Sequence, residues 1–258
     1  MAALSLSSAP VFAAATAADT ASNYSGGGWG ATPPNNGSGF GAWAVTLNNN
    51  NQPPYTGTYL DSGSSVISGG YSWATYANSA TTLIPSINIV RPFTTGDGSD
   101  SLVNQAFSVS LSSAGVGPSQ GDLSVGVGTA FLFDYNGAGP DNFTLSVDGG
   151  TATAATVNYS ALAAGITISL AVSGPINSAS ENYIFSVTPF AGGSPLFTQS
   201  GTFDSSAFNT SSFNYLDSNT TGNAFFNNLS ITSVPEPTTL ALAGLGGLAT
   251  LVILRRRK

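Results

Sequence analysis

Several stretches of this chain alternate strictly between apolar and small polar residues, and this two-residue period limits what the chain can fold into. Such alternation places the two kinds of side chain on opposite faces of a β-strand. It occurs in residues 107–111, 143–147, 166–172 and 183–187. No window between residues 22 and 232 has a helical period, and Gly, Pro, Asn and Asp separate the segments. We therefore predict an all-β fold, an antiparallel β-sandwich of the jelly-roll type.

Three further segments set the limits and the centre of this sandwich. The apolar run at 40–47 predicts the first strand, and residues 224–233 predict the last one. Residues 123–135 form a longer segment with a dense apolar end, which predicts a central strand buried on both faces. The sandwich is predicted over residues 39–233, and the Gly-, Asn- and Pro-rich residues 18–38 are predicted as a loop before it.

Charge is scarce and unevenly distributed. Only 7% of the 258 residues are charged, and Arg91 is the one basic residue ahead of the basic C-terminal cluster. The acidic segment ahead of that cluster repels phosphate backbones, which argues against nucleic acid as a partner and leaves neutral sugars or cations. The chain has no Cys and no His, so it lacks the commonest general base and transition-metal ligand. Most hydrolase mechanisms are thereby disfavoured.

Residues 1–17 predict a signal peptide. An apolar patch at 10–15 runs into Ala15-Thr16-Ala17, which has the small-x-small form of a signal peptidase site. The segment lacks the Lys or Arg found at the start of such peptides, which favours a start codon further upstream. The alternative is an N-terminal tail without regular structure.

Residues 234–258 combine three features that predict a membrane-anchoring tail. Val234-Pro235-Glu236-Pro237 holds the backbone extended, because proline denies it helix and ladder hydrogen bonds. Residues 238–254 are uncharged, and as a helix they would span about 26 Å, slightly less than a ~30 Å bilayer core. The positive-inside rule keeps Arg255, Arg256, Arg257 and Lys258 in the cytoplasm. We predict a single C-terminal transmembrane helix with the sandwich outside.

The order of these features resembles the PEP-CTERM sorting signal that exosortases read. The resemblance implies a transient anchor in the inner membrane and processing by an exosortase near Pro235-Glu236-Pro237. It further implies that the sandwich then moves to the cell surface or the extracellular matrix, so that the chain is a substrate and not an enzyme. The alternative is an ordinary C-terminal anchor preceded by a chance Pro-Glu-Pro.

Two Asp-containing loops are candidate calcium sites. Asp97 and Asp100 lie in a Gly-rich turn, and Asp134 and Asp141 flank a second Gly-rich loop. Calcium takes six to eight oxygen ligands, which carboxylates and amides supply. Neither loop matches an EF-hand, and ordinary turns use the same residue types, so a plain turn is the alternative. No other cofactor is predicted.

The first third of the chain holds most of the large aromatic residues, which belong either to a sugar-stacking platform or to the core. These are Trp29, Trp43, Trp73, Tyr55, Tyr59, Tyr71 and Tyr76. The strands predicted at 39–43 and 225–231 also resemble the first and last strands of concanavalin-type or laminin-G-like jelly rolls, in which the two are neighbours. This resemblance raises carbohydrate binding as an expectation.

Three functions follow, in descending order of support. The first is a structural or adhesive protein of the cell surface or secreted matrix that associates with polysaccharide. The second is a dedicated carbohydrate-binding module. The third is a glycosidase, which needs two carboxylates about 5 to 9.5 Å apart in a cleft. Glu181 is the one Glu ahead of the tail and the Asp residues lie in turn-like contexts, so catalysis is the least favoured.

Overall fold

The computed structural model describes residues 15–49, 55–78, 84–93, 102, 104–113, 121–136, 142–174, 178–218 and 222–234. Strands fill most of these ranges. They are β1 (Ala15–Asp19), β2 (Ala44–Asn48), β3 (Thr56–Asp61), β4 (Ser72–Ala77), β5 (Ser86–Pro92), β6 (Gln105–Ser113), β7 (Asp122–Val127), β8 (Phe131–Asn136), β9 (Thr144–Val147), β10 (Thr153–Ala154), β11 (Ile166–Ser173), β12 (Glu181–Pro189), β13 (Phe197–Phe203), β14 (Ser212–Ser218) and β15 (Asn223–Ser233). A 3-10 helix spans Ala21–Tyr24, and α1 spans Tyr159–Ala164.

The strands form two antiparallel layers, so the predicted all-β sandwich is confirmed. The back sheet has the order β10-β9-β8-β7-β14-β5-β2. In the front sheet β6 pairs with one edge of β15. The other edge of β15 pairs first with β4 and then, further along the strand, with β1. Next to β4 lies β3, and β11, β12 and β13 follow beside β6.

The core lies between the two sheets, and each alternating strand directs the side chains of one face into it. In β11 every second residue is buried and the residues between are half-buried. Aromatic rings fill much of the space, and those of Phe133 and Phe143 stack with their centroids 4.4 Å apart. Burying large aromatic side chains removes much apolar area from water, which is a main driving force for folding.

Two strand predictions are wrong in detail. Residues 123–135 do not form one central strand, because a turn beginning at Gly128 divides them into β7 and β8. The strand predicted at 40–47 is β2, at an edge of the back sheet, and it does not neighbour the closing strand. The first described strand, β1, does pair with β15.

Residues 18–38, predicted as a loop, are packed into the fold. They contain the end of β1, the 3-10 helix, and the buried side chains of Asp19, Tyr24 and Trp29. The predicted signal-peptide boundary after Ala17 falls inside β1. Cleavage there would remove residues that pair with the end of β15.

A bulge in β15 marks the point where its edge partner changes from β4 to β1. Asn228 adopts a positive φ of 54° there, and the side chain of Asn227 fills the gap in the ladder. The Asn227 amide oxygen accepts from the Ala21 N–H at 2.9 Å, and its nitrogen donates to the carbonyls of Val66 at 3.2 Å and Tyr71 at 2.6 Å. One side chain thus replaces ladder bonds that the bulge interrupts.

Candidate functional site

A groove of about 350 Å³ lies on the outer face of the front sheet, and we call it the front groove. Outward-facing residues of β1, β6, β11 and β15 form its floor, because they alternate with the core residues of those strands. Phe190, directly after β12, lines it and donates its N–H to the Gly165 carbonyl at 2.9 Å. The lining residues are Ala18, Asp19, Thr20, Ser108, Ser110, Thr167, Phe190, Asn228, Leu229 and Ser230.

Hydroxyl and amide groups from neighbouring strands form a hydroxyl row along this floor. Ser108 and Ser230 pair in the ladder, and their Oγ atoms lie 2.9 Å apart. Asn228 Nδ2 donates to Ser110 Oγ at 3.4 Å, and Ser110 Oγ lies 3.4 Å from Thr167 Oγ1. A hydroxyl both donates and accepts hydrogen bonds, so the row can bond another polyhydroxyl molecule.

The front groove is electrically neutral at its lining. Asp19 is the one carboxylate among the lining residues, and its side chain is fully buried against Arg91 on the core side. The remaining side chains are uncharged alcohols, an amide, alkyl groups and one aromatic ring. The groove therefore offers hydrogen bonds and apolar area without an ionic partner.

Beneath the groove, the side chains of Arg91, Asp19 and Tyr24 form a cluster that links β1 to β5, and we call it the Arg91 clasp. The Arg91 guanidinium pairs with Asp19, donates to the Asn36 carbonyl at 2.7 Å and lies 4.2 Å from the Trp43 ring centroid. The Tyr24 hydroxyl donates to Asp19 Oδ2 at 2.6 Å. Burial and this hydrogen bond raise the pKa of Tyr24 to about 12. Arg91, the one basic residue ahead of the C-terminal cluster, is thus paired with a carboxylate inside the fold.

The three tryptophans considered for sugar stacking lie in the core, so that hypothesis is wrong for them and core packing is confirmed. Trp73 is fully buried, Trp29 and Trp43 are 8% and 7% exposed, and the rings of Trp29 and Trp43 meet edge to face at 5.1 Å. Tyr59 and Tyr76 lie together with their ring centroids 6.4 Å apart. Tyr76 is opposite the first residue of β15, at the far end of that strand from the groove.

Sequence reasoning missed the front groove. The alternation in β6 places Ser108 and Ser110 on an outer face, but the register and the bulge of β15 are needed to bring Asn228 beside them. Phe190 stands in a Pro- and Gly-rich turn after a predicted strand, and no periodicity places its ring. Two other candidate aromatics, Tyr55 and Tyr71, are half-buried and do not line the groove.

Of the four candidate calcium ligands, the structure describes Asp134, on β8. Burial and the neighbouring charge of Asp122 raise its pKa. Asp97, Asp100 and Asp141 lie outside the described residues. Within the described ranges no group of three or more Asp, Glu, His or Cys side chains is placed to hold a metal. Calcium binding stays a prediction.

The folded part of the chain extends to the start of the predicted tail. Val234 donates its N–H to the Asn104 carbonyl at 2.8 Å, directly after β15 ends. The rest of the predicted tail, 235–258, lies outside the described residues. In the ranges that are described, no helix has the length and apolar character needed to cross a membrane.

A family comparison identifies this tail. Residues 233–258 match the family described as the PEP-CTERM protein-sorting motif. The chain carries a PEP-CTERM sorting motif. Such a motif marks an exported protein that an exosortase recognises and that is processed at the membrane. A search of curated proteins finds no significant match to this chain.

Solved structures with a similar arrangement include lectin-like and jelly-roll-like β-sandwiches. The globular domain of T. cruzi calreticulin is 10% identical with a TM-score of 0.45, over 83% of this chain and 95% of that domain. An endo-β-1,4-glucuronan lyase from the fungus Trichoderma reesei is 9% identical with a TM-score of 0.47, over 73% and 90%. A lectin from Bauhinia forficata in complex with GalNAc is 11% identical with a TM-score of 0.37, over 75% and 100%. These values assign no ligand and no activity to this chain.

Proposed function

We propose that this protein is a structural or adhesive component of the cell surface or secreted matrix, whose sandwich associates with neutral polysaccharide. Its tail holds it transiently in the inner membrane until an exosortase processes it. The observation that supports the binding role is the neutral front groove, which combines the hydroxyl row with the ring of Phe190.

The chemistry of the front groove suits a neutral sugar. A sugar ring presents hydroxyls along its edge and C–H groups on its faces, which match the hydroxyl row and an aromatic ring respectively. The chain carries a formal net charge of −7, and its basic residues other than Arg91 lie at the C-terminal end. Polyanionic ligands would therefore be repelled, whereas neutral chains would not.

Binding without hydrolysis is the role that the lining residues favour. A glycosidase needs a carboxylate pair that faces the substrate. Asp19, the carboxylate beside the front groove, is turned into the core and held by Arg91 and Tyr24. It has no free oxygen directed at a bound sugar, so we propose no catalytic residue.

The arrangement of the chain ends suits export and anchoring. Ala15 in β1 is opposite Thr232 in β15, so β1 begins and β15 ends at the same end of the front sheet. Both membrane-directed segments can then face the inner membrane while the rest of the sandwich points away. We propose that Arg255-Arg256-Arg257-Lys258 stays cytoplasmic, with Pro235-Glu236-Pro237 at the outer surface.

Binding is tested with the full-length chain in detergent, on an array of neutral polysaccharides. We expect weak but measurable binding, and we expect Phe190→Ala to weaken it about two- to tenfold, since an aromatic contact contributes roughly 0.5–1.5 kcal/mol. Tyr59→Ala is the matched control, because Tyr59 is a partly exposed aromatic of the front sheet that does not line the groove.

Absence of binding to every neutral polysaccharide at millimolar concentration would contradict the binding role. Equal losses of polysaccharide affinity in Phe190→Ala and Tyr59→Ala would contradict the assignment of binding to the front groove. Thermal melting of each variant shows whether it is folded.

The same array separates this role from a dedicated carbohydrate-binding module. The hydroxyl row has no charged group, and its hydroxyls can rotate to suit different partners, so we expect similar affinities for several related neutral polysaccharides. Tight binding to one glycan alone would favour the module instead.

A further inference from the structure

The strand β13 is an open edge of the front sheet. Among the residues that the structure describes, it pairs with β12 alone, in an unbroken register over Phe197–Phe203. Natural proteins usually protect such an edge with charge, proline, a bulge or shortness. β13 has none of these protections, since its sequence is Phe-Thr-Gln-Ser-Gly-Thr-Phe.

The other described sheet edges are shorter. β10 has two residues, β2 has five, and the six-residue β3 ends in Asp61. β13 has seven residues, and Thr198, Ser200 and Thr202 on its outer face are exposed. It is therefore the edge best suited to accept another strand.

The sequence of β13 reads nearly the same in both directions about Ser200. Phe197 mirrors Phe203, Thr198 mirrors Thr202, and Gln199 and Gly201 flank the centre. We propose that β13 pairs with β13 of a second copy of this chain, antiparallel and about a twofold axis at Ser200. The two front sheets then form one continuous sheet through a self-complementary interface.

This register places Phe opposite Phe on one face and Thr opposite Thr on the other. On the core face, Phe197 of each copy lies opposite Phe203 of the other, and aromatic cross-strand pairs are favourable. Phe203 already packs on Phe131 with centroids 5.0 Å apart, so the new pair extends an existing aromatic cluster. On the outer face, Thr198 lies opposite Thr202 of the second copy.

The acidity of the protein does not oppose this pairing. The nearest acid with access to solvent is the half-buried Asp204, directly after β13. In the proposed register the two Asp204 residues are eight positions apart, about 27 Å at 3.4 Å per residue. Salt screens charges beyond about 8 Å at physiological ionic strength, so their repulsion is small.

Cysteine cross-linking tests the register, because the chain contains no Cys of its own. Residues directly opposite in an antiparallel pair have Cα atoms about 4.5 or 5.5 Å apart, within disulfide range. We expect Ser200→Cys in the full-length chain in detergent to form a covalent dimer under mild oxidation at least tenfold faster than Thr202→Cys. In the latter variant the two sulfurs start about 14 Å apart.

Equal rates in the two cysteine variants, or no dimer in either, would overturn the proposal. Association through the tail alone would give no preference for position 200, so the comparison separates the two causes.

Charge variants provide a second test at the same exposed positions. Thr198→Lys with Thr202→Lys places like charges opposite each other, and we expect sedimentation to show monomers. Thr198→Lys with Thr202→Glu places opposite charges across the axis and should restore the dimer. A wild-type chain that stays monomeric at all concentrations, or two variants that sediment alike, would contradict the proposed pairing.

Discussion

At the scale of single residues, the Arg91 clasp is the feature with the largest consequence for stability. Arg91 and Asp19 are both fully buried, and they join strands of different sheets. Removing one partner leaves the other charge buried without compensation, which costs about 3–5 kcal/mol. We expect this loss for Arg91→Met and for Asp19→Asn, measured by urea unfolding.

The double variant is the control for that prediction. Replacing both charges together leaves no buried unpaired ion. The double variant Arg91→Met with Asp19→Asn should therefore lose less unfolding free energy than the two single variants lose in sum. Losses under about 1 kcal/mol in both single variants would contradict a structural role for the clasp.

The raised pKa of Asp134 gives a pH-dependent prediction. Its folded form binds a proton more tightly than the unfolded chain, so stability falls as pH rises from 3.8 through the raised pKa. We expect Asp134→Asn to raise the Tm at pH 7 and to leave it unchanged at about pH 3, where the carboxyl is protonated in both states.

Calcium titration decides whether Asp134 is a calcium ligand or a plain carboxylate. A plain carboxylate predicts no change in Tm when millimolar calcium is added. A calcium-dependent rise in Tm that disappears in Asp134→Asn would show that Asp134 is a ligand.

At the scale of elements, the turn between β7 and β8 depends on Gly128. Gly128 has a φ of +56°, and a Cβ there would lie 2.1 Å from the backbone oxygen of Asn209. We expect Gly128→Ala to cost about 3 kcal/mol or more, from the strained φ together with the clash. Denaturant unfolding measures the loss.

Gly149 is the matched control for this turn. Its φ is +65°, but a Cβ there would have nothing within 4 Å. Gly149→Ala should therefore cost only the φ penalty, roughly 1 kcal/mol. Equal costs in the two variants would mean that the contact with Asn209 is not what requires glycine at position 128.

The strictly alternating strands were predictable from the sequence, and strand neighbours were not. The alternation in β6 and β11 fixes which residues face the core, because the period of side chains in a strand is two. Nothing local indicates that β1 pairs with β15, since the small residues of β1 also suit a cleavage site. The front groove depends on four strands distant in sequence, so it required the register.

At the scale of the whole molecule, the two parts of the chain have separate roles. The tail carries the sorting information in residues 233–258, and it was predictable because its proline motif, apolar stretch and basic cluster are contiguous. The sandwich carries the proposed binding surface, which long-range pairing assembles. Val234, the last residue that the structure describes, is still hydrogen-bonded to Asn104 of the sandwich.

The central claim is that an exosortase reads this tail and that the folded sandwich is the product that leaves the membrane. The direct measurement places a tag in the sandwich of the full-length chain and follows its distribution between membrane and surface fractions in cells with an exosortase. Wild type is compared with Glu236→Ala, and both are compared with the same chains in cells that lack the enzyme.

We predict that the tagged wild-type chain loses its tail by processing, and that its sandwich reaches the surface fraction only when the exosortase is present. Glu236→Ala should remain at full length in the membrane fraction, because the extended segment has lost its carboxylate. Equal processing and release of the two forms would contradict the account.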